Sequence, residues 1–113
     1  EGRGYDMSPA VLNPPPAPFV ATGEFDGEPP RLADFLAVAR DDAAHSVVDE
    51  PGCQQFEVTV LEGASTVVFF EIYDDRAAFD AHLETPHLAR FRDAFPALIR
   101  SEPTVRFGAL RSV

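Results

Sequence analysis

Three histidines, His45, His82 and His87, and one misplaced carboxylate, Glu71, hold most of the chemistry this sequence can offer. Glu71 sits in the run Val67-Val68-Phe69-Phe70-Glu71-Ile72-Tyr73, where every neighbour favours burial. A carboxylate there must find a partner or shift its pKa. His82 is the candidate partner. A histidine backed by a carboxylate makes a general base, because its pKa lies near neutrality and the carboxylate fixes its tautomer. The same pair can equally be a structural hydrogen bond tying a strand to the helix after it. Tyr73 shares the strand face of Glu71 and either donates to a substrate oxygen or simply packs. His87 follows Thr85-Pro86, at a helix start where the dipole lowers a histidine pKa, and reads as a rim residue. His45, near the end of an earlier helix, borders the pocket or faces solvent. Phe69 and Phe91 complete the expected pocket wall. Arg90, Arg92 and Arg106 read as surface charges, of which one at a pocket mouth would attract an acidic substrate.

Other chemistries find less support. His82 and His87 are five positions apart across Pro86, about 140° around even an unbroken helix, so they are not the i, i+4 pair of a helical zinc site. No metal site is expected. Cys53 follows Pro51-Gly52 at a strand start with no cation beside it, and reads as a small buried residue rather than a nucleophile. The chain has no glycine-rich phosphate loop, which argues against nucleotide or flavin.

Periodicity supplies the elements that must position these groups. Phe19 to Phe25 alternates as a strand, with Gly23 marking a bulge or a close approach. Pro29-Pro30 open a helix whose apolar stripe is Leu32, Phe35, Leu36, Ala39 and Ala43, with Arg40, Asp41 and Asp42 facing away. Asp49-Glu50-Pro51-Gly52 must end it, since the residue before proline disfavours the helical region. Cys53 to Leu61 and Thr66 to Tyr73 form a hairpin around Glu62-Gly63-Ala64-Ser65. Both faces of the second of these strands are apolar, as in a central strand. Asp74 or Asp75 caps a short helix to Leu83, and Thr85-Pro86 starts another with the stripe Leu88, Phe91, Phe95 and Leu98. Thr104 to Leu110 is the last strand. The order β-α-β-β-α-β is the ferredoxin-like α+β arrangement, an antiparallel four-stranded sheet with strands 1 and 3 central. Helices would cover one sheet face only. The other face is predicted to dimerise, sheet against sheet.

The 113 residues suit one domain, here residues 19–113, preceded by an arm. Prolines dominate Ser8 to Pro18, which reads as extended, and Glu1-Gly2-Arg3 resembles the end of a protease site, so residues 1–6 read as a cloning remnant. A net charge of −10 with nine arginines, scattered, and no lysine argues against nucleic acid and anionic membranes. No apolar run approaches the roughly 18 residues of a membrane span. One cysteine rules out an intrachain disulfide, and a cytoplasmic location is expected.

Three stretches together carry a resemblance. Glu50-Pro51-Gly52-Cys53-Gln54-Gln55-Phe56-Glu57-Val58, then Phe70-Glu71-Ile72-Tyr73-Asp74-Asp75 with Ala77-Ala78-Phe79, then His82-Leu83-Glu84-Thr85-Pro86-His87-Leu88 with Phe91, resemble the antibiotic biosynthesis monooxygenase-like family, which includes proteins assigned as quinol monooxygenases. The likeness spans roughly residues 19–110 in order and spacing. It implies a homodimeric α+β barrel with a pocket between sheet and helices in each subunit. It also implies oxygenation of a small aromatic, quinol or polyketide-like substrate by O2 with no cofactor. In such chemistry the ionised substrate itself reduces O2, and the protein supplies a base, a donor and a dry pocket. A related branch isomerises a phosphorylated metabolite, so a non-redox isomerase is the first alternative. A non-catalytic binding or detoxification module is the second. A haem-degrading branch is set aside, because the chain has no Trp and its one Asn, Asn13, lies in the arm. Asp26-Gly27-Glu28 departs from the family's usual Pro-Gly-Lys after the first strand.

Overall fold

The computed structural model describes residues 17–112; the proline arm and the cloning remnant expected before residue 17 lie outside the described residues, apart from Ala17 and Pro18. Its strands are β1 (Phe19–Asp26), β2 (Cys53–Val60), β3 (Thr66–Tyr73) and β4 (Thr104–Ala109), and its helices are α1 (Leu32–Asp49), α2 (Arg76–His82) and α3 (Pro86–Ala94). Short 3-10 turns at Pro29–Arg31 and Phe95–Leu98 lead into α1 and follow α3. The second turn arises where Pro96 removes a helical donor.

All pairings are antiparallel in the order β2-β3-β1-β4, so β1 and β3 are central. This is the ferredoxin-like α+β sheet expected from the sequence. β1 pairs with both neighbours without a register break, so Gly23 is no bulge. It answers to a close approach instead: a Cβ there would stand 3.0 Å from the Phe25 ring. A register shift lies instead between Cys53 and Gln55.

The helices cover the sheet face that carries Val67, Phe69, Glu71 and Tyr73, all buried. Against it packs an aromatic core. The Phe69 ring lies 4.7 Å from Phe25, 5.3 Å from Phe56 and 5.4 Å from Phe91 between centroids, distances at which tilted and edge-on rings attract. The buried stripe of α1 differs from the apolar pattern. It is Phe35, Ala39, Asp42 and Ser46, a spacing of 0, 4, 7 and 11 that a helix satisfies as well as one ending on Ala43. Asp42 therefore turns inward, against the expectation from its charge.

The chain carries His82 into position through one tight contact. Gly52, just after α1, accepts the Asp74 N–H through its carbonyl at 2.9 Å. A Cβ on Gly52 would fall 2.5 Å from the Cβ of Ala78 in α2. Gly52→Ala should therefore push α2 away and destabilise the protein by about 1–3 kcal/mol in urea denaturation. Adding Ala78→Gly should recover part of that loss. A double variant no more stable than Gly52→Ala would show that this contact does not set the helix position.

Candidate functional site

Between the sheet and the helices lies a cavity of about 180 Å³. Phe25, Phe69, Phe79 and Phe91 make its apolar wall, and Asp42, Glu71 and His82 are its buried ionisable groups. Exposed Arg92 and Val105 border it on the α3 and β4 side.

Local sequence explains how each group arrives. Pro51 holds Glu50 in extended backbone, at φ −101° and ψ 114°, as the C-cap of α1. Asp75 caps α2 by accepting the Ala78 N–H at 2.8 Å. Thr85 joins α2 to α3: its hydroxyl donates to the His82 carbonyl at 2.8 Å and accepts the Leu88 N–H at 3.3 Å. This joint turns the two histidines toward each other, with ring centroids 5.9 Å apart. The helix restart that separates His82 and His87 along the chain thus brings them together in space.

Both converge on Glu50. Its Oε2 accepts from His82 Nδ1 at 2.8 Å and from His87 Nε2 at 2.5 Å. The Glu50 side chain is 10% exposed and the two histidines are more deeply buried. Its other oxygen, Oε1, is buried with no hydrogen-bond partner among the described residues. Ser46 donates to the Asp42 carbonyl at 2.7 Å and lies 3.4 Å from His82 Nδ1. Burial lowers the His82 pKa, against the raising effect of Glu50.

The expected Glu71–His82 hydrogen bond does not form. Glu71 Oε1 instead accepts from the Tyr73 hydroxyl, two residues along the same strand face, at 2.7 Å. A same-strand partner needs no movement of α2. Burial raises the Glu71 carboxyl to about 7, partly offset by the Tyr73 bond, with Glu50 adding repulsion. Asp42 is raised to about 7 by burial and by the Glu71 and Glu50 charges. Burial also raises the Tyr73 hydroxyl, and it pushes the Cys53 thiol up to about 12.

Of the expected pocket residues, Glu71, His82, Phe69 and Phe91 line the cavity. Tyr73 is fully buried behind Glu71 and is not part of the wall. His87 is buried rather than at a rim, and it too is absent from the wall. His45 is exposed, hydrogen-bonded to Asp49 at 2.8 Å because both lie one helical turn apart, and stacked on His87 at 5.8 Å. Sequence reasoning missed Glu50 and Asp42. Glu50 opens the first of the three family-like stretches, which was its only signal; Asp42 had the i, i+7 spacing from Phe35.

The raised carboxyl of Glu71 has a consequence for stability. The native state keeps a proton that the unfolded chain loses near its ordinary value of 4.5. From there up to about 7 the native state binds more protons, so stability falls as pH rises and levels off above that range. The loss from this group is on the order of 3 kcal/mol. Glu71→Gln should reduce the slope between pH 5 and about 7 in urea unfolding and leave the share due to Asp42, whose carboxyl burial also raises to about 7. An unchanged slope would mean that Glu71 is not the group responsible.

Comparison with known proteins agrees with this architecture. The antibiotic biosynthesis monooxygenase family pattern matches residues 18–94, which run from the start of β1 to the end of α3 and hold Glu50, Glu71, His82 and His87. The chain belongs to the antibiotic biosynthesis monooxygenase family. An uncharacterised protein of Synechocystis, sll1783, is 28% identical over 90 residues, covering 79% of this chain and 60% of that protein. The chain thus spans less than two thirds of that protein's length. Rv0793 of Mycobacterium tuberculosis shares the fold with a TM-score of 0.79 at 22% identity, over 86% of this chain and 98% of that one. A Caulobacter crescentus protein does so with a TM-score of 0.81 at 19% identity, over 87% and 93%. No helix among the described residues is long and apolar enough to cross a membrane.

Proposed function

We propose that this chain oxygenates a small electron-rich aromatic, such as a quinol or a polyketide-like phenol, with O2 and without a cofactor. The observation that carries this reading is His82: it lines an apolar cavity while its Nδ1 is held by Glu50. A carboxylate oxygen accepts, so Nδ1 carries the proton and Nε2 is left to take one from substrate. The resulting substrate anion gives electrons to O2, and a peroxide forms on the ring carbon. Loss of water from a hydroperoxide that retains a C–H leaves a carbonyl, so one oxygen atom stays and the other departs as water. Glu71, whose burial keeps its carboxyl protonated up to about pH 7, is placed to supply the proton the peroxide needs. Tyr73 orients Glu71 rather than touching substrate. The aromatic wall suits a flat ring, and Arg92 at its border favours substrates with an acidic group.

The same reading includes two subunits. Edge strand β4 is exposed along its whole length; by register Val105, 54% exposed, and Phe107, 52% exposed, lie beside Gly23 and Ala21 on the helix side of the sheet rather than on its helix-free face, which supports cover of this edge by a second copy. It takes residues 19–113 as the working domain and residues 1–18 as an arm outside it. The unpaired Cys53 thiol fits a reducing compartment such as the cytoplasm.

Oxygen uptake with a panel of hydroquinones and anthrone-like phenols tests the reaction. Consumption of one O2 per product is expected, with turnover stopping under nitrogen. Turnover that continues unchanged without oxygen would replace this reading with an isomerase. Binding with no turnover of any panel member would leave a binding module.

A further inference from the structure

The Glu50 cluster contains more ligand atoms than a base and its orienting carboxylate need. One ligand atom from each of Asp42, His82 and His87 lies within 4.8 Å of the others, and all three residues are buried. The donors around a tetrahedral zinc ion stand about 3.4 Å apart, so small side-chain rotations would bring these three to coordination distance. His82 Nδ1 and His87 Nε2 already point at a common atom, Glu50 Oε2. A second observation is independent of that convergence. Glu50 Oε1 is buried and partnerless on a side chain nine-tenths buried, an arrangement that leaves a carboxylate oxygen in want of a donor or a cation. Three carboxyl groups, Asp42, Glu50 and Glu71, share this part of the interior, and among the described residues no Arg side chain is hydrogen-bonded to Asp42 or Glu50.

We propose that Asp42, His82, His87 and Glu50 form a binding site for a divalent transition-metal ion of the zinc class, distinct in role from the cofactor-free reaction. Two imidazoles and two carboxylates are a donor set that suits such ions and is poor for Mg2+ or Ca2+, which favour oxygen alone. The helices deliver the donors: Asp42 comes from α1, Glu50 from its C-cap, His82 from the end of α2 and His87 from the start of α3. Helix spacing excluded a zinc pair on one helix; the Thr85 joint assembles one from two.

Occupancy has a consequence for the reaction, and this part rests on the reading of His82 as base. The metal takes the Nδ1 lone pair and replaces the Glu50 hydrogen bond. The single proton of the neutral imidazole then resides on Nε2, which donates and no longer accepts. The metal-bound chain is therefore silent as an oxygenase, and a chelator restores it.

The test uses the untagged full chain, since added histidines would bind metal themselves. Calorimetric titration with ZnCl2 should give one ion per chain with a micromolar or tighter Kd, and Co2+ should give the visible absorption of a tetrahedral site. His87→Ala and Asp42→Asn should each weaken binding by at least about 10-fold, a loss of the size seen when metal-site partners are removed. His45→Ala should leave it unchanged, because the exposed Asp41-His45-Asp49 edge is the competing surface site. If a variant fails to fold, histidine NMR of the wild type decides: Zn2+ should shift the His82 and His87 ring signals, and shift those of His45, which stacks on His87, distinctly less. Sub-stoichiometric binding, or binding lost in His45→Ala and kept in His87→Ala, would overturn the site. Full turnover of the zinc-bound chain, or turnover that requires added Fe2+, would overturn the silencing. Zinc binding as described, in a chain that turns over no quinol, would count against the base reading while upholding the site.

Discussion

Replacing His82 by alanine is expected to lower kcat for quinol oxygenation by about 10²- to 10⁴-fold, the usual worth of a positioned general base. The loss should fall on kcat and leave KM close to its original value, because the aromatic wall that holds the ring is untouched. No neighbour can take over. His87 does not line the cavity, and both its proximity and its hydrogen bond are directed at Glu50. Asp42 and Glu71 line it, but burial raises both carboxyls to about 7 and favours the protonated form below that pH. His82→Gln is the sharper variant. Its amide can keep a hydrogen bond to Glu50 but accepts no proton at neutral pH, so its kcat should fall as far as that of alanine. Oxygen uptake at saturating quinol, beside a thermal melt to establish folding, measures both. A folded glutamine variant working at the wild-type rate would remove His82 from the chemistry.

Phe35→Ala is expected to cost about 3–5 kcal/mol of stability, a large part of the 5–15 kcal/mol that holds a typical domain together. Phe35 is fully buried on α1, with its ring centroid 5.3 Å from Phe25, 5.9 Å from Phe91 and 6.2 Å from Phe69. It is not itself part of the cavity wall but packs on three rings that are, so its removal opens a void between α1 and the sheet. Helix and sheet are each tied by their own backbone bonds and cannot close such a gap fully. The midpoint of urea unfolding should move down with little change in slope. A loss under about 1 kcal/mol would mean that the aromatic core repacks freely, against the tilted ring contacts seen around it.

These two residues differ in how they could be read from the sequence. Phe35 belongs to an apolar stripe, and burial of such a stripe follows from hydrophobic patterning alone. The position of His82 at the end of a capped helix was equally legible, since Asp75 and Thr85-Pro86 are start signals with a local mechanism. Its partner was not. Glu71 is the nearest carboxylate in the chain that ought to be buried, so a sequence reading assigns the pair to it. Glu50, 32 residues before His82, looks like a solvent-facing residue at a helix end. Asp42 failed for a related reason. Charge is a strong argument for exposure until the interior supplies neighbours that raise its pKa and a serine that shares its hydrogen bonds.

Local pattern along the chain was thus enough for the elements, their order, the central place of β1 and β3 and the aromatic composition of the core. These depend on periodicity, proline and capping, which act over a few residues. Which acid holds which histidine depends on how the helices pack. His82, His87 and Glu50 meet because the Gly52–Ala78 contact and the Thr85 joint set two helices against the end of a third. A hydrogen bond is made or lost over less than 1 Å, a precision that no spacing along the chain can carry.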